Sequence, residues 1–364
     1  MSRLRMGVVG SGALGRHHAR IYSQLPSTEL IGVADTNADR GQAVAKASGS
    51  RWCADYRELF GRLDAVSIAV PTEVHHRVAL AFLEQGIATM VEKPLASTAG
   101  QAAEIVDAAN GAGATLQVGH IERFNPAFQE ARLLIQNPKY IRSERVSPYA
   151  FRSTDIGVVL DMMIHDIDLV LDLANAPLES VEAFGISVLG ENEDCAQARL
   201  TFANGCIADL AANRVSPTTR RAMQVWSETG CVNLDFGSRE VIHYAPSDRL
   251  LSGQSVLERA RKPAADIDQL KAAIFTEYVQ IERPQVSAAD ALIAELSSFV
   301  ECVASGKQPL VDGRAALAAM RAAERVLQSI ATHRWNGAGS GPVGPFVMPF
   351  LSNPLQVPAL RSAA

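Results

Sequence analysis

Asp161 and His165 stand four residues apart within 158–174, a segment whose spacing of apolar residues predicts a helix. Residues at this separation lie on one helix face, one turn apart. Histidine is the side chain best suited to moving a proton near neutral pH, and a neighbouring carboxylate fixes its tautomer and stabilises its imidazolium form. The pair therefore fits general acid–base chemistry. Two alternatives stay open: an amphipathic helix with a hydrogen-bonded histidine, and a metal site completed by Asp168, which lacks a recognised ligand signature.

Lys93 lies in the tripeptide Glu92-Lys93-Pro94, directly after a short apolar segment that predicts a β-strand. Ligands of open α/β sheets bind at the carboxyl edge of the strands, so a lysine at this point can contact a substrate. Pro94 favours an unusual backbone here, including a cis peptide bond. The alternative interpretation is an exposed lysine that precedes a helix.

A glycine-rich turn follows the first apolar segment and precedes a helical one. It reads Gly10-Ser11-Gly12-Ala13-Leu14-Gly15. Such glycines permit a tight turn and a close approach of pyrophosphate, which the helix N-terminus attracts. Asp35 ends the next strand twenty residues after Gly15, where a carboxylate accepts hydrogen bonds from the adenosine ribose and repels a 2′-phosphate. We therefore predict NAD as cofactor. The alternative is a glycine-rich turn with Asp35 as a helix cap, and Arg40 is interpreted as a solvated helix residue.

The elements that must position these residues alternate between apolar strands and amphipathic helices from residue 4 to about residue 119. This alternation predicts an α/β Rossmann domain with a doubly wound parallel sheet over 1–123. Val70, Pro71 and Thr72 end one of its strands and are expected along the cofactor.

Residues 124–335 have a different texture. A helical segment at 126–136, a strand near 139–149 and a helical segment at 158–174 precede successive short strands and two final helices. We predict an α+β domain with a large, mainly antiparallel, open-faced sheet that binds substrate and forms oligomers. Residues 336–364 form a Pro/Gly-rich tail, either irregular or docked on a neighbouring subunit.

Composition excludes several classes of protein. The net charge is -5 without a basic run, so nucleic-acid binding is not expected. The five cysteines include no C-x-x-C pair, so neither a disulfide framework nor a zinc site is expected. We see no leader segment and no long apolar stretch, and we expect a cytoplasmic protein without a membrane span.

Several motifs together resemble the glucose-fructose oxidoreductase and inositol dehydrogenase superfamily, also called Gfo/Idh/MocA. They are GSGALGRHHA at 10–19, AVPTEVHH at 69–76, VEKPLA at 91–96 and LDMMIHDIDL at 160–169. The resemblance implies that Lys93 stabilises charge on the reacting oxygen, that His165 is the general base and that Asp161 orients it, with Lys93 as base kept open. It also places the glycine turn, Asp35, Val70 to Thr72, His75, Glu92 and Lys93 along NAD.

Within that superfamily, VGHIERFNPA at 118–127 and DIGVVLDMMIHDIDL at 155–169 resemble UDP-N-acetylglucosamine 3-dehydrogenases that precede a PLP aminotransferase in lipid A amino-sugar synthesis. The resemblance implies oxidation of the sugar 3-hydroxyl. We expect Arg123, Asn125, Tyr149, Arg152 and His165 to contact substrate, with Arg214, Arg220 and Arg221 as further diphosphate candidates. The alternatives are a dehydrogenase of a free polyol and a non-catalytic NAD sensor. A homodimer or homotetramer is expected.

Overall fold

The computed structural model describes residues 3–151, 154–253, 255–336 and 339–344. Its first sheet is parallel, with strand order β3-β2-β1-β4-β5-β6. The strands are β1 (Leu4–Val9), β2 (Thr28–Ala34), β3 (Arg51–Cys53), β4 (Ala65–Ile68), β5 (Ala88–Glu92) and β6 (Leu116–Gly119). Four helices connect them: α1 (Gly15–Gln24), α2 (Ala38–Ala47), α3 (Thr72–Leu83) and α4 (Ala99–Ala112). The predicted doubly wound fold is confirmed.

This sheet is covered on both faces, which explains why its strands are apolar on both sides. Val66, Ile68 and Val91 belong to a large core that also contains α3 and α4 residues. Met6, Val8 and Met90 belong to a second core, which they form with residues of α1 and of the helix at 291–305. The order 3-2-1-4-5-6 brings the carboxyl ends of β1, β4 and β5 side by side, where ligands of such sheets bind.

The second sheet has eight strands in the order β14-β13-β12-β11-β7-β10-β9-β8. They are β7 (Tyr140–Val146), β8 (Leu178–Ile186), β9 (Cys195–Phe202), β10 (Ile207–Asn213), β11 (Arg220–Ser227), β12 (Gly230–Asp235), β13 (Glu240–Pro246) and β14 (Val279–Glu282). The mainly antiparallel sheet is confirmed, although β7 and β10 pair in parallel. That parallel pair follows from a helical crossover, since α6 (Ile164–Ala174) lies between β7 and β8 in the chain.

The remaining helices are α5 (Pro126–Leu134), α7 (Asp248–Ser252), α8 (Val256–Ala260), α9 (Ile267–Ala273), α10 (Ala291–Ser305) and α11 (Gly313–Thr332). The sequence patterns did not predict the helices α7, α8 and α9, because short polar helices have little periodicity to detect. They did not predict the short strand β14 either. Asp290 and Asp312 cap the N-termini of α10 and α11 through their side-chain oxygens, which fixes where each helix begins. α11 packs against β8, α6 and α4, so it joins the two sheets.

The predicted domain boundaries at 123 and 335 stay predictions. Of the predicted tail, residues 339–344 lie near the edge strand β8, and Ser187 donates its backbone N–H to Val343 O at 2.8 Å. Residues 345–364 lie outside the described residues. Within the described part of the chain, no helix is long and apolar enough to cross a membrane.

Candidate active site

The glycine turn between β1 and α1 has the shape that a pyrophosphate requires. Gly10 has a φ of 88°, and a Cβ there would collide with the Ala69 carbonyl group. A Cβ at Gly15 would collide with the Gly10 carbonyl oxygen, whereas a Cβ at Gly12 would meet nothing within 4 Å. The turn is therefore closed on the protein side and open above Gly12, next to the N-terminus of α1. These features fit a bound dinucleotide.

Asp35 is held firmly beside this turn. Its Oδ2 accepts hydrogen bonds from Ser11 N at 2.8 Å and Ser11 Oγ at 2.5 Å, and its Oδ1 accepts from Asn37 N at 2.8 Å. Arg40 adds two more hydrogen bonds at 3.0 and 2.8 Å. Burial alone would raise the pKa of Asp35, but the hydrogen bonds from Arg40, Ser11 and Asn37 outweigh it and hold that pKa at about 2.

The expectation that Arg40 is a solvated helix residue was therefore wrong in part. Its guanidinium is half-exposed, yet it forms a two-point ion pair with Asp35. The cause is helix geometry, because Asn37 caps α2 and the first turn of that helix turns Arg40 back toward the strand end.

Lys93 follows β5 and reaches the start of the helical segment that carries His165. Lys93 Nζ lies 2.5 Å from the Asp161 backbone oxygen and 3.2 Å from Asp161 Oδ1. The Lys93–Pro94 peptide bond is cis, one of the unusual backbone forms that the proline favours. The lysine side chain is largely buried and not the exposed residue of the alternative interpretation. Lys93 and Asp161 thus form a buried pair at the carboxyl edge of the first sheet.

The structure does not form the expected Asp161–His165 contact. Residues Val159–Met163 form a π-helical turn, and α6 begins only at Ile164. A π-turn has a wider repeat than the α-helix on which the four-residue spacing was argued, so the Asp161 carboxylate turns toward Lys93. Asp161 therefore contacts Lys93, and His165 Nδ1 has no hydrogen-bond partner among the described residues.

His165 lies beside a second histidine that the sequence analysis did not select. The rings of His120 and His165 meet edge to face, with centroids 6.4 Å apart. Burial lowers the pKa of His165 well below 6.5, and the nearby cations Lys93, Arg145 and Arg221 lower it further. His165 is therefore a neutral imidazole at neutral pH, the form that accepts a proton.

His120 follows β6 directly, at the same sheet edge as Lys93. Burial lowers its pKa as well, although Asp168 acts in the opposite direction. Neither ring nitrogen has a hydrogen-bond partner within the described ranges. The signal that would have found His120 is its place immediately after a strand, the argument already applied to Lys93.

Behind the histidines lie two buried networks of ion pairs. Arg123 donates to Asp168 at 2.7 and 3.2 Å, and its other terminal nitrogen lies 2.5 Å from Asp172. Arg145 pairs with Asp166 at 2.9 Å and with Glu122 at 2.7 Å. These pairs fix α6 against β7 and the turn at 121–124, so they position His165.

Two expected substrate contacts are placed in this supporting layer instead. Arg123 is buried, and its guanidinium is held by Asp168 and Asp172. Asn125 is also buried, where it caps α5 through Ala127 N and donates to Glu122 Oε2 at 2.9 Å. Sequence position suggested substrate contact because both residues follow a strand, but their polar groups are engaged by neighbouring protein atoms.

Other expected cofactor residues lie around the sheet edge. Val70 and Pro71 are accessible in the loop before α3, and Thr72 begins that helix. His75 is buried behind them, with its ring nitrogens 2.9 Å from Val70 O and 2.8 Å from Pro94 O, so it ties two loops together. Glu92 is buried under Lys93 and faces His18.

The candidate diphosphate ligands separate by sheet face. Arg221 on β11 lies directly opposite Arg145 on β7. Both side chains therefore share the face of the sheet that packs toward His165. Arg220 points to the opposite face, where it pairs with Glu144 at 2.7 Å. Arg214 is buried and bound to Asp194, and it lies over the ring of Tyr149.

Arg152 lies outside the described residues. Tyr149 is partly exposed and packs edge to face on Phe151. No group of three or more His, Cys, Asp or Glu side chains that could hold a metal occurs in the part of the chain that the structure describes.

Comparison with known protein families agrees with this architecture. Residues 4–120 match a family described as "Oxidoreductase family, NAD-binding Rossmann fold", and residues 130–233 match the "GFO/IDH/MocA C-terminal domain". NAD is therefore the cofactor of this chain, as the glycine turn and Asp35 predicted.

Individual relatives are dehydrogenases. UDP-N-acetylglucosamine 3-dehydrogenase from Acidithiobacillus ferrooxidans is 32% identical over 327 residues, which cover 90% of this chain and 97% of that protein. Its solved structure has a TM-score of 0.78 at 31% identity and covers 90% of this chain and 98% of that chain. The scyllo-inositol 2-dehydrogenase (NAD(+)) of Bacillus subtilis is 27% identical over 85% of this chain and 89% of that protein.

Proposed function

Because the chain belongs to the Gfo/Idh/MocA oxidoreductase family, and is an NAD-dependent dehydrogenase, we propose that it oxidises the 3-hydroxyl of UDP-N-acetylglucosamine to the 3-keto sugar. The observation that carries this proposal is the 32% identity to a dehydrogenase of that substrate, which spans 97% of that protein's length. The neighbouring Lys93, Asp161 and His165 supply the acid–base groups that an alcohol oxidation requires.

His165 acts as the general base in the proposed mechanism. Its neutral ring accepts the proton of the sugar hydroxyl, and the adjacent ammonium of Lys93 stabilises negative charge that develops on the same oxygen. Asp161 holds that ammonium in place through two contacts. When bound, NAD would supply the acceptor for the hydride of the carbinol carbon. The glycine turn, Asp35 and the loop at 70–72 would hold it.

Arg221 is the proposed contact for the substrate diphosphate. Its side chain shares the inner face of the sheet with Arg145, and its charge lowers the pKa of His165, so it lies near the reacting group. A phosphate entering a protein of net charge -5 needs such a local cation. Tyr149 and Arg152 are proposed as further substrate contacts.

The decisive experiment mixes the protein with NAD and UDP-N-acetylglucosamine and follows NADH by absorbance. A keto-trapping aminotransferase with its amino donor is present, because an unfavourable alcohol oxidation otherwise stops early. Sugar-dependent NADH that requires His165 and Lys93 supports the proposal. Oxidation of a free inositol, with no oxidation of the nucleotide sugar, would mean that the substrate is a free polyol instead.

The second candidate, a polyol dehydrogenase, is favoured by the identity to scyllo-inositol 2-dehydrogenase. Competitive inhibition by UDP separates the two, since a site for a free polyol has no group that selects a nucleotide diphosphate. Turnover of either substrate would exclude the third interpretation, a non-catalytic NAD sensor.

The cellular setting is also part of the proposal. The 3-keto product would pass to a PLP aminotransferase, in the cytoplasm, as in lipid A-type amino-sugar synthesis. The outer face of the eight-stranded sheet carries Ala222 and Gln224, which lie on either side of Met223 in β11. This face would form the contact of a homodimer or homotetramer. Light scattering of the purified protein tests the oligomer directly.

A further inference from the structure

The helical segment that carries Asp161 and His165 begins without a cap of its own. Its N-cap residue is Val158, whose side chain has no atom that accepts a hydrogen bond. The first N–H groups of a helix have no partner within the helix, and a buried N–H group without an acceptor costs free energy. Val158 and Val159 are both fully buried. An acceptor must therefore come from another part of the chain.

Glu193 supplies that acceptor from the loop between β8 and β9. Its backbone oxygen accepts the Val158 N–H at 2.9 Å, and its side-chain Oε1 accepts the Val159 N–H at 3.1 Å. The residue is only 7% exposed, so water does not compete for these N–H groups. A carboxylate at the N-terminal end of a helix is also favoured by the helix dipole. One distant residue thus caps the segment that carries the acid–base groups.

Gly157 leaves the space that the Glu193 carboxyl group occupies. A Cβ at Gly157 would lie 2.0 Å from Glu193 Oε1 and 2.2 Å from its Cδ, which is far inside van der Waals contact. The φ of Gly157 lies outside the left-handed region, so its backbone does not itself require a glycine. The backbone oxygen of Gly157 accepts from Asp161 N at 3.0 Å. The carboxyl group therefore packs on the residue to which Asp161 is directly hydrogen-bonded.

The loop that carries Glu193 is itself fixed by the next residue, Asp194. Asp194 Oδ2 accepts from the backbone N–H groups of residues 188 and 189, both at 2.7 Å. Its Oδ1 accepts from Arg214 Nε at 2.7 Å, and Arg214 also donates to the Ile156 backbone oxygen at 2.7 Å. These charge-assisted hydrogen bonds tie the loop to the chain just before the helical segment. Glu193 is therefore held on a rigid support.

We propose that Glu193 is a positioning residue for the dehydrogenase reaction, because its cap sets where Asp161 lies and thereby where Asp161 holds the Lys93 ammonium. Lys93 Nζ donates to the backbone oxygen and to Oδ1 of Asp161, so a shift of the first turn moves both contacts. Glu193 acts only through Asp161 and Lys93. The inference rests on the role of Lys93 in the proposed function, where a displacement of about 1 Å can cost about 10²-fold in rate.

Steady-state kinetics with NAD and UDP-N-acetylglucosamine separate positioning from stability, with kcat expressed per NAD-binding site so that unfolded molecules do not count. Glu193→Ala should lower kcat by roughly 10- to 100-fold with little change in the Kd of NAD, because none of its hydrogen bonds is with a predicted NAD ligand. Glu193→Gln keeps an acceptor oxygen and should retain most of kcat.

The matched control is Asp290→Ala, which removes the cap of α10, where Asp290 accepts two N–H groups at 2.9 and 3.0 Å. It should lower stability without lowering kcat. A Glu193→Ala enzyme that binds NAD and keeps the kcat of the wild type overturns the proposal. If Glu193→Ala does not fold, Glu193→Asp gives the same comparison in a milder form, because its shorter side chain withdraws the oxygen from Val159.

Gly157→Ala tests the same contact from its other side. The added methyl group must displace the Glu193 carboxyl group, so kcat should fall in this variant as well. When Glu193→Ala is present, the space is free and Gly157→Ala should cause little further loss. Strong coupling between the two substitutions in kcat is therefore the expected result of this double-mutant cycle. Losses that simply multiply would show that the two residues act independently and would contradict the proposal.

Two further measurements need no substrate, so they distinguish a failure of this inference from a failure of the proposed function. Hydrogen exchange, measured by mass spectrometry, should be faster at 158–163 in Glu193→Ala than in the wild type, because the first N–H groups lose their acceptor. Lys93 should also react faster with acetic anhydride, with the exposed Lys46 as internal reference.

Faster exchange and faster acetylation of Lys93, in an enzyme that does not oxidise UDP-N-acetylglucosamine, would mean that the substrate is different while Glu193 still positions Lys93. Unchanged rates at 158–163 and at Lys93 overturn the inference whatever the substrate is.

Discussion

Buried polar groups at the two ends of the carboxyl edge of the first sheet differ in whether they have hydrogen-bond partners. At the end near the glycine turn, the Asp35 carboxylate accepts hydrogen bonds from Ser11, Asn37 and Arg40. At the end near Lys93, several buried polar atoms have no partner among the described residues: His120 Nδ1 and Nε2, His165 Nδ1 and both oxygens of Glu295. The Asp35 carboxylate near the glycine turn therefore has hydrogen-bond partners within the protein, whereas these atoms near Lys93 have none among the described residues.

The difference separates binding from chemistry. A satisfied carboxylate is fixed in charge and position, which suits recognition of a ribose that never changes during the reaction. Groups that take up or release protons during a reaction must not be fixed in one charge state by close partners, and burial without a partner lowers the pKa of His165 below 6.5 and raises the pKa of Glu295 above 4.5. We therefore expect substitutions near Lys93 to change rates strongly, and substitutions near Asp35 to change stability and cofactor choice.

The largest effect is expected for His165→Gln. Removing the general base should lower kcat by roughly 10²- to 10⁴-fold with little change in the free energy of unfolding. Burial lowers the pKa of His165, so the acid limb of the wild-type pH profile of kcat/KM should lie below pH 6.5. That limb should vanish in the variant. A retained acid limb would assign the base to another group, with Lys93 the first to examine.

Lys93→Ala should lower kcat by roughly 10²- to 10³-fold, the usual effect of removing one group that stabilises an oxyanion. NAD affinity should change little, because Lys93 contacts Asp161 and, in the proposed mechanism, the reacting oxygen and not the adenosine. Steady-state kinetics and NAD titration measure the two effects separately. Lys46→Ala, at the exposed end of α2, is the control for loss of one cation. Equal losses in both variants would contradict the assignment.

At the satisfied end, Asp35→Ser should change cofactor preference by about 10- to 100-fold toward NADP, since one charged hydrogen bond contributes about 1.5–3 kcal/mol. The freed Arg40 then faces the 2′-position instead of a carboxylate. Kd values for both cofactors test this, with Asp39→Ser in the exposed first turn of α2 as control. An unchanged NAD to NADP ratio would count against Asp35 as the ribose ligand.

Sequence reasoning predicted best the features that depend on near neighbours in the chain. The doubly wound sheet and the NAD cofactor follow from local patterns, and so do the positions of Asp35 and Lys93 directly after strands. The roles of these two residues stay predictions. The Asp161–Lys93 pair could not be predicted, because a π-turn changes the helix spacing that was assumed. Glu295 was missed although it occupies a core position of α10 beside Leu296 and Phe299, where a charged residue is unusual.

The free energy of unfolding should change in opposite directions when the carboxyl groups of Asp35 and Glu295 are each replaced by a carboxamide. Asp35 has a folded pKa of about 2 against 3.8 in the unfolded chain, so its contribution is present above pH 3.8 and is lost as the pH falls toward 2.

Asp35→Asn should therefore lower the free energy of unfolding at pH 7 by at most about 2 kcal/mol, because water screens the half-exposed Arg40. For Glu295, the folded pKa lies above the unfolded value of 4.5, so its contribution is full below pH 4.5 and is lost as the pH rises toward the folded pKa. Glu295→Gln should then stabilise the protein at pH 7, by an amount that shrinks toward pH 4.5. Urea unfolding at pH 4.5 and pH 7 measures both, and losses of the same sign and pH dependence would show that the two ends do not differ as argued.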